Sequence, residues 1–490
     1  MKKTALIFVL VSLLAACKKD ITQLNVDPKN PANVPSYSLF TNAQRVLSNT
    51  VSSSSVNLNI FRLIEQQWTE TTYLNETNYQ LNYRRQPDAI WSALYTGVLG
   101  NFQRAKTLIP KDVPDAAKQK NEIAITDILQ VYTYYYLVTT YGNVPYSDAL
   151  DINKPFPKYD DAQTIYYDLL TRLDADITAL DPGADSFGSA DLVYGGDPAA
   201  WKKFANTLKL KMGITIADSD NAKAKTAVES AVASGVFTSN ADNALFKYET
   251  TPPNTNPVWV DLVQSQRHDY VATSEFIGLL NPGTAAQDPR LPYFFSVNAA
   301  GNYAGAPNGS GDGGLVYSQY SLPSGPLLVK SSIGSVTNAN FPGNLLDYAE
   351  TEFNLAEAAA RTYSVGGTVQ SHYDAGITAS ITYWGASATQ ASAYLLLPNV
   401  AFATAPGGTA LHKIAAQEYL AFYNRGWDAW TMNRRLDYPV LTPPENAYTD
   451  FPVRFTYPIS EQNVNEINYN QASGAIGGDV VTTKLFFDKF

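Results

Sequence analysis

Residues Asn121–Tyr146 read NEIAITDILQVYTYYYLVTTYGNVPY, and this stretch sets the fold class. Ile125, Ile128, Leu129, Tyr132, Tyr136 and Thr139 recur at spacings of three and four, which places them on one stripe of a helix. The helix is predicted to stop at Tyr141, because Gly142 can cap it and Pro145 lacks the N–H that a further turn needs.

The same grammar repeats outward from it. Downstream, Asp160-Asp161 offer N-caps to a helix through Tyr166, Leu169, Leu170, Leu173, Ile177 and Leu180, closed by Pro182-Gly183. Asp197-Pro198, an N-cap and an N1 proline, open another that carries Trp201, Phe204, Leu208 and Met212. Upstream, helices are predicted over 36–50, over 58–72 with Phe61, Ile64, Glu65 and Trp68, and from Asp88 through Trp91, Leu94, Val98 and Phe102 to Pro110. Further on, a helix begins at Asp347 with Ala349, Phe353, Ala356, Ala360 and Tyr363, and others cover 371–384 and about 410–424. Paired in order, these make a mainly α fold, an irregular tetratricopeptide-like solenoid of helical hairpins. No 34-residue sequence period accompanies it, so the repeat is structural.

Two regions break the helical pattern. Residues 69–83 interleave aromatics with amides, and 237–346 cluster Pro, Gly, Asn and Ser with short alternating runs such as Gly314-Leu315-Val316-Tyr317. A structureless loop of the second length is improbable in a compact domain, so a loop-rich subdomain of short strands is predicted there. The expected division is an export signal at 1–16, a tether and strap at 17–35, and scaffold at 36–236. An irregular ligand-binding region follows at 237–346, then scaffold at 347–426 and an irregular C-terminal segment packed on it at 427–490.

The first residues are read as a targeting signal. Lys2 and Lys3 precede a run, residues 5–16, that is apolar apart from Ser12. It is shorter than the roughly 20 residues a membrane span needs. Leu14-Ala15-Ala16-Cys17 follows, and Cys17 is the only cysteine in the chain. The arrangement resembles a bacterial lipobox, in which the thiolate takes a diacylglycerol and two or three acyl chains give a stable hold on the membrane. Cleavage before Cys17 removes two lysines and takes the formal charge from −10 to −12. An acidic surface of that size excludes nucleic acid as a partner, because phosphates need basic patches. With its one cysteine carrying lipid the chain forms no disulfide, so its stability must come from a large core.

Catalytic signals are thin. His268, His372 and His412 lie far apart in no paired-ligand spacing, and there is neither a G-x-S-x-G elbow nor a P-loop. No catalytic residue, metal site or cofactor is expected. Asn308-Gly-Ser310-Gly-Asp312-Gly313 matches the first half of a calcium loop, but position 12 is Gln319, which cannot give a bidentate carboxylate. It is read as a loop, with a structural calcium left as the alternative. Arg434, Arg435, Arg454 and Glu461, set among Tyr438-Pro439 and Tyr457-Pro458, are expected to tie C-terminal segments to helix ends.

The chain resembles the SusD/RagB family of outer-membrane nutrient-binding lipoproteins, essentially end to end. The lipobox with Leu24–Pro31, Tyr141-Gly142-Asn143-Val144-Pro145-Tyr146 and Trp201–Lys211 carry the resemblance, followed by Asp288-Pro289-Arg290-Leu291, Ala356-Glu357-Ala358 and Arg434-Arg435 through Glu461. The resemblance implies a non-catalytic, lipid-anchored protein at the cell surface that binds a glycan and passes it to a SusC-like TonB-dependent β-barrel transporter. A lipid-anchored glycoside hydrolase and a receptor of this type for peptide are the alternatives.

Capturing a sugar needs flat aromatic faces with amides, carboxylates and Arg forks around the rim. Thirty-two tyrosines, 21 phenylalanines and 7 tryptophans supply the first in excess, and most are expected to line helix packing. The candidate contacts come from the two irregular regions: Trp68, Tyr73, Asn75, Asn78 and Tyr79, and Trp259, Arg267, Tyr270, Tyr303, Tyr317 and Tyr320.

Overall fold

A computed structural model describes residues 34–283, 287–310, 315–323 and 338–490. Cys17 and the rest of the N-terminal signal and strap lie outside them, as do Asp312 and Gly313 of the calcium-like loop.

Most of the helices begin where short polar side chains can satisfy free backbone N–H groups. α1, Ser36–Ser52, folds against a rod in which α2, Gln86–Ser92, runs through a π-helical stretch, Ala93–Leu99, into α3, Gly100–Asp112. Asp115 accepts from the Lys118 amide at 2.7 Å to open α4, Ala116–Tyr141, and Asp161 accepts from Thr164 N at 2.8 Å to open α5, Ala162–Ala179. Asp197 caps α6, Pro198–Thr215, and Asp220 caps α7, Asn221–Ser234. Asp347 accepts from Glu350 N at 2.8 Å at the start of α8, Tyr348–Ala360. Thr368, Ser387 and Thr409 do the same for α9, Val369–Tyr383, α10, Ala388–Leu395, and α11, Ala410–Ala421. α12 spans Gly426–Leu436.

The helices pair in order, α4 on α5, α6 on α7, α8 on α9 and α11 on α12, and neighbouring hairpins stack through α3 on α4, α5 on α6 and α6 on α8. The architecture is therefore the mainly α hairpin solenoid that the periodicity predicts. α4 lies at its centre: every residue from Ala124 to Tyr141 is buried, as expected of a helix whose apolar and aromatic residues run right round it.

Short antiparallel strands tie the connections: β1, Trp68–Glu70, with β5, Tyr270–Ala272; β2, Val144–Pro145, with β3, Tyr159–Asp160; and β4, Ala244–Phe246, with β6, Gly343–Leu346.

Two expectations are corrected. The helix predicted over 58–72 is only Phe61–Ile64. Gln66 adopts a left-handed backbone, φ 52°, and the chain then becomes β1, because pairing with residues 270–272 outweighs local propensity. The C-terminal segment is also less irregular than expected. Trp427, Trp430 and Arg434 recur at helical spacing in the fully buried α12, and Ile459–Val464 and Glu466–Ala475 are helical too.

That C-terminal segment closes the end of α4, whose last carbonyls have no partner within the helix. Arg434 donates to Thr139 O at 2.7 Å, the Phe455 amide to Thr140 O at 3.0 Å, and Arg454 to Tyr141 O at 3.0 Å. Glu461 accepts from the Tyr159 hydroxyl at 2.8 Å.

A buried ionic hub joins α4, α6, α8 and the start of α12. Lys211 Nζ meets Glu350 at 2.8 Å and Asp428 at 2.5 Å, and Arg425 bridges Asp347, Glu350 and Asp428 at 2.9, 2.7 and 2.7 Å. The Tyr136 hydroxyl completes the shell of Asp428 at 2.7 Å. Burial opposes the Asp428 anion, but Arg425 and Lys211 overcome it and hold the carboxyl below its ordinary range.

Candidate functional site

The pairing of β1 with β5 brings the two irregular regions together. The register is Trp68 with Ala272, Thr69 with Val271 and Glu70 with Tyr270. It continues past the strands, where Thr71 N donates to Asp269 O and Thr71 Oγ1 to His268 O, both at 2.8 Å. The ribbon is covered on both faces, so all three residues of β1 and all three of β5 are buried.

Where the ribbon ends, the two chains part and a cleft of about 360 Å³ opens between them. One wall carries Thr72, Tyr73 and Arg84 together with Ser55–Asn57; the other carries Asp261, Ser265, Arg267 and Asp269; and the buried Glu70 and Tyr270 form the floor. The volume lies in the range of small-molecule sites.

Buried carboxyls hold the first wall. Glu70 Oε2 accepts from both the amide and the hydroxyl of Thr77 at 3.0 Å, and Glu76 accepts from Gln86 Nε2 at 2.8 Å and pairs with Arg84. Burial and the neighbouring Glu76 push the Glu70 carboxyl up to about 8, against the pull of the Thr77 bonds, so the floor is neutral at neutral pH. On the second wall Asp261 accepts from Ser54 Oγ at 2.9 Å and is raised by burial, while Arg267 Nε donates to Asp269 at 2.5 Å.

Backbone strain concentrates around this cleft. Of the nine non-glycine residues with positive φ among the described residues, Gln66, Tyr73, Tyr79, Arg85 and Gln266 flank it in sequence. Left-handed backbone at such residues costs about 1–3 kcal/mol each and persists where the surroundings impose it, often at ligand sites. At Tyr73, φ 59°, it coincides with a ring that is 68% exposed beside the cleft.

The eleven aromatic, amide and arginine candidates therefore separate. Tyr73, Arg267 and Tyr270 line the cleft, Tyr270 as a floor residue whose hydroxyl donates to Ser54 O at 2.6 Å. Tyr317 is exposed and stacks on His268, ring centroids 4.2 Å apart, next to Arg267. Trp68 and Tyr79 are core residues, each 1% exposed. The Trp68 ring packs on Tyr270 and the Arg62 guanidinium, and the Tyr79 hydroxyl accepts from Gln66 at 3.0 Å. Asn78 is buried under Gly309, where a Cβ would lie 2.3 Å from Asn78 Oδ1. Asn75, Trp259, Tyr303 and Tyr320 are half-buried and do not line the cleft. Sequence reasoning missed Glu70, Arg84, Asp261, Asp269 and His268. They carry no local signal, because their proximity depends on a strand pairing between residues about 200 positions apart.

A larger groove, about 860 Å³, runs beside Pro35, Tyr37, Arg45, Lys118 and Phe187. It opens where the described residues begin, and none of the candidate residues lines it. Among the described residues no cluster of His, Cys, Asp and Glu could hold a metal ion, and no helix is long and apolar enough to cross a membrane.

The chain is similar to known proteins over most of its length. Residues 28–458 match the SusD-like family described as starch-binding and associating with the outer membrane. A chitin-binding protein of solved structure is 25% identical and superposes with a TM-score of 0.77, covering 93% of this chain and 100% of its own. A SusD homolog from Bacteroides uniformis is 25% identical, TM-score 0.75, with coverage of 93% and 100%. A chitin-binding SusD homolog from Flavobacterium johnsoniae is 24% identical, TM-score 0.76, with coverage of 93% and 98%. No curated protein matches the chain.

Proposed function

The chain belongs to the SusD-like family of outer-membrane-associated proteins, and from that premise we propose that it is a glycan receptor whose ligand lies in the cleft at the end of the β1–β5 ribbon. The observation that carries this reading is the exposed, backbone-strained Tyr73 facing Arg267 and Asp269 across a polar cleft. A sugar ring needs an aromatic face for its C–H surface and charged forks for its hydroxyls, and the two walls supply one each. The chitin-binding neighbours support a polysaccharide rather than a peptide. Delivery to a TonB-dependent barrel and anchoring through lipidated Cys17 complete the proposal.

The protein acts by binding alone in this account. Glycoside hydrolysis is the rival, because Glu70 keeps its proton in the same cleft as Asp261 and Asp269. Against it, Glu70 Oε2 is occupied by two bonds from Thr77 that hold the wall in place. Calorimetry with chito-, cello- and malto-oligosaccharides, followed by chromatography of the same mixtures, tests both. Binding with intact oligosaccharide is expected; shortened products would establish the hydrolase, and absence of binding to every glycan would remove the receptor.

A further inference from the structure

Beside the polar cleft lies a second, apolar hollow of about 180 Å³, walled by Leu262, Val263, Leu322 and Pro323 and closed by Arg267, His268 and Tyr270. Arg267 and Tyr270 line both spaces, so the hollow adjoins the cleft across these two side chains. Resting on the receptor reading above, we propose that this hollow is a subsite for the acetamido group of an N-acetylated glycan.

The hollow is built before any ligand arrives. Ser321 O accepts from Ala272 N at 2.9 Å and Leu322 O from Ser296 N at 3.1 Å, which fixes Leu322 and Pro323 against β5. Thr71 fixes His268 and Asp269 from the other side, and the His268 ring is backed by Tyr317. Leu262 and Val263 come from a π-helical turn, Val260–Gln264, and Val263 stays 43% exposed.

An acetamido group suits these walls because it joins a methyl to a carbonyl acceptor. The methyl has an apolar lining. The carbonyl has the Arg267 guanidinium, whose Nε is engaged by Asp269 and whose remaining N–H groups have no protein acceptor among the described residues. A bare hydroxyl gains nothing from the apolar lining. A free amine has neither a methyl for that lining nor a carbonyl for the Arg267 N–H groups. The hollow therefore ranks acetamido above both hydroxyl and free amine on one sugar backbone.

The test is calorimetry at neutral pH with chitopentaose, cellopentaose, fully de-N-acetylated chitopentaose and maltopentaose, using the full-length folded protein and its Val263→Asp variant. Chitopentaose is expected to bind about tenfold or more tighter than cellopentaose, the increment one buried alkyl group gives in a fitted pocket. Val263→Asp should bring chitopentaose down to the level of cellopentaose and leave cellopentaose unchanged. Because Val263 is partly exposed, circular dichroism of the variant should match the wild type; if it does not, Leu322→Asn replaces it. Equal affinity for chitopentaose and cellopentaose, binding of maltopentaose alone, or a uniform loss in the variant overturns the subsite while the receptor stands. No binding of any of the four overturns both.

Discussion

Trp68 and Tyr73 come from one short stretch of sequence and have opposite roles. Trp68 is enclosed by Tyr270, Tyr423 and Arg62, so Trp68→Ala is expected to leave a cavity and cost about 3–5 kcal/mol of stability, read as a lower urea midpoint. Tyr73 projects into solvent, so Tyr73→Ala should leave that midpoint nearly unchanged and weaken glycan binding by about 1–3 kcal/mol in calorimetry, the size of a lost stacking partner. Equal stability losses in the two variants would contradict this assignment.

Glu70 gives the residue scale a pH dependence. Its ordinary value is 4.5, and burial together with Glu76 raises it to about 8 in the folded protein. Between those values the folded chain holds a proton that the unfolded chain has released, so stability is full at the acid end and falls as pH rises through the window. Glu70→Gln keeps the neutral shape and removes that proton, and should flatten the slope of unfolding free energy from pH 5 to 8 by up to ~1.4 kcal/mol per unit. Glu122 and Asp176, raised by burial to about 7 and about 9, keep part of the slope in the variant. Glu357 and Asp428 run the other way: both are held low against burial, Glu357 by Arg435 and Arg361 and Asp428 by Arg425 and Lys211. Their contribution is lost at the acid limit as pH falls through their lowered values.

At the scale of elements, what could be read in the sequence and what could not have different physical origins. The hairpins announce themselves through local rules: Asp161 and Asp197 cap helices where their spacing says they should, and Gly142, φ 87°, ends α4 at Tyr141. The cleft does not, because its two walls meet through three-residue strands too short for a periodic pattern. Both regions that form it were visible as breaks in the helical signal. Which aromatic faces water was not, since a ribbon covered on both sides buries successive residues and sends Trp68 and Tyr270 inward. α12 was missed for a related reason: its tryptophans and arginines look like an irregular polar segment until the carbonyls of α4 give Arg434 its partners.

The ionic hub is a property of packed elements, and its removal is a test at that scale. Lys211→Ala would leave Arg425 as the one cation facing Glu350 and Asp428 in the core. Breaking a buried pair by removing one partner costs about 3–5 kcal/mol, so the urea midpoint should fall sharply although the substituted residue lies far along the chain from the cleft residues. An unchanged midpoint would show that the hub contributes nothing net.

For the whole molecule, a helical scaffold carries the cleft. The helical hairpins pack around α4, and the cleft sits where two of their connections cross, held by carboxyls that are themselves buried. The proposed lipid anchor at Cys17 lies outside the described residues, and it is tested in cells. Palmitate should label the wild type but not a Cys17→Ser variant, and the variant should leave the membrane fraction; continued labelling would contradict lipidation at Cys17.

Hydrogen–deuterium exchange with and without the best-binding of chito-, cello- and maltopentaose tests the central claim most directly, because it reports where on the chain the glycan sits. Slower exchange confined to peptides covering residues 55–57, 72–84 and 261–270 is the result this account predicts. Slowing confined to the groove along residues 35–45 and 112–122, with the ribbon peptides unchanged, would contradict it.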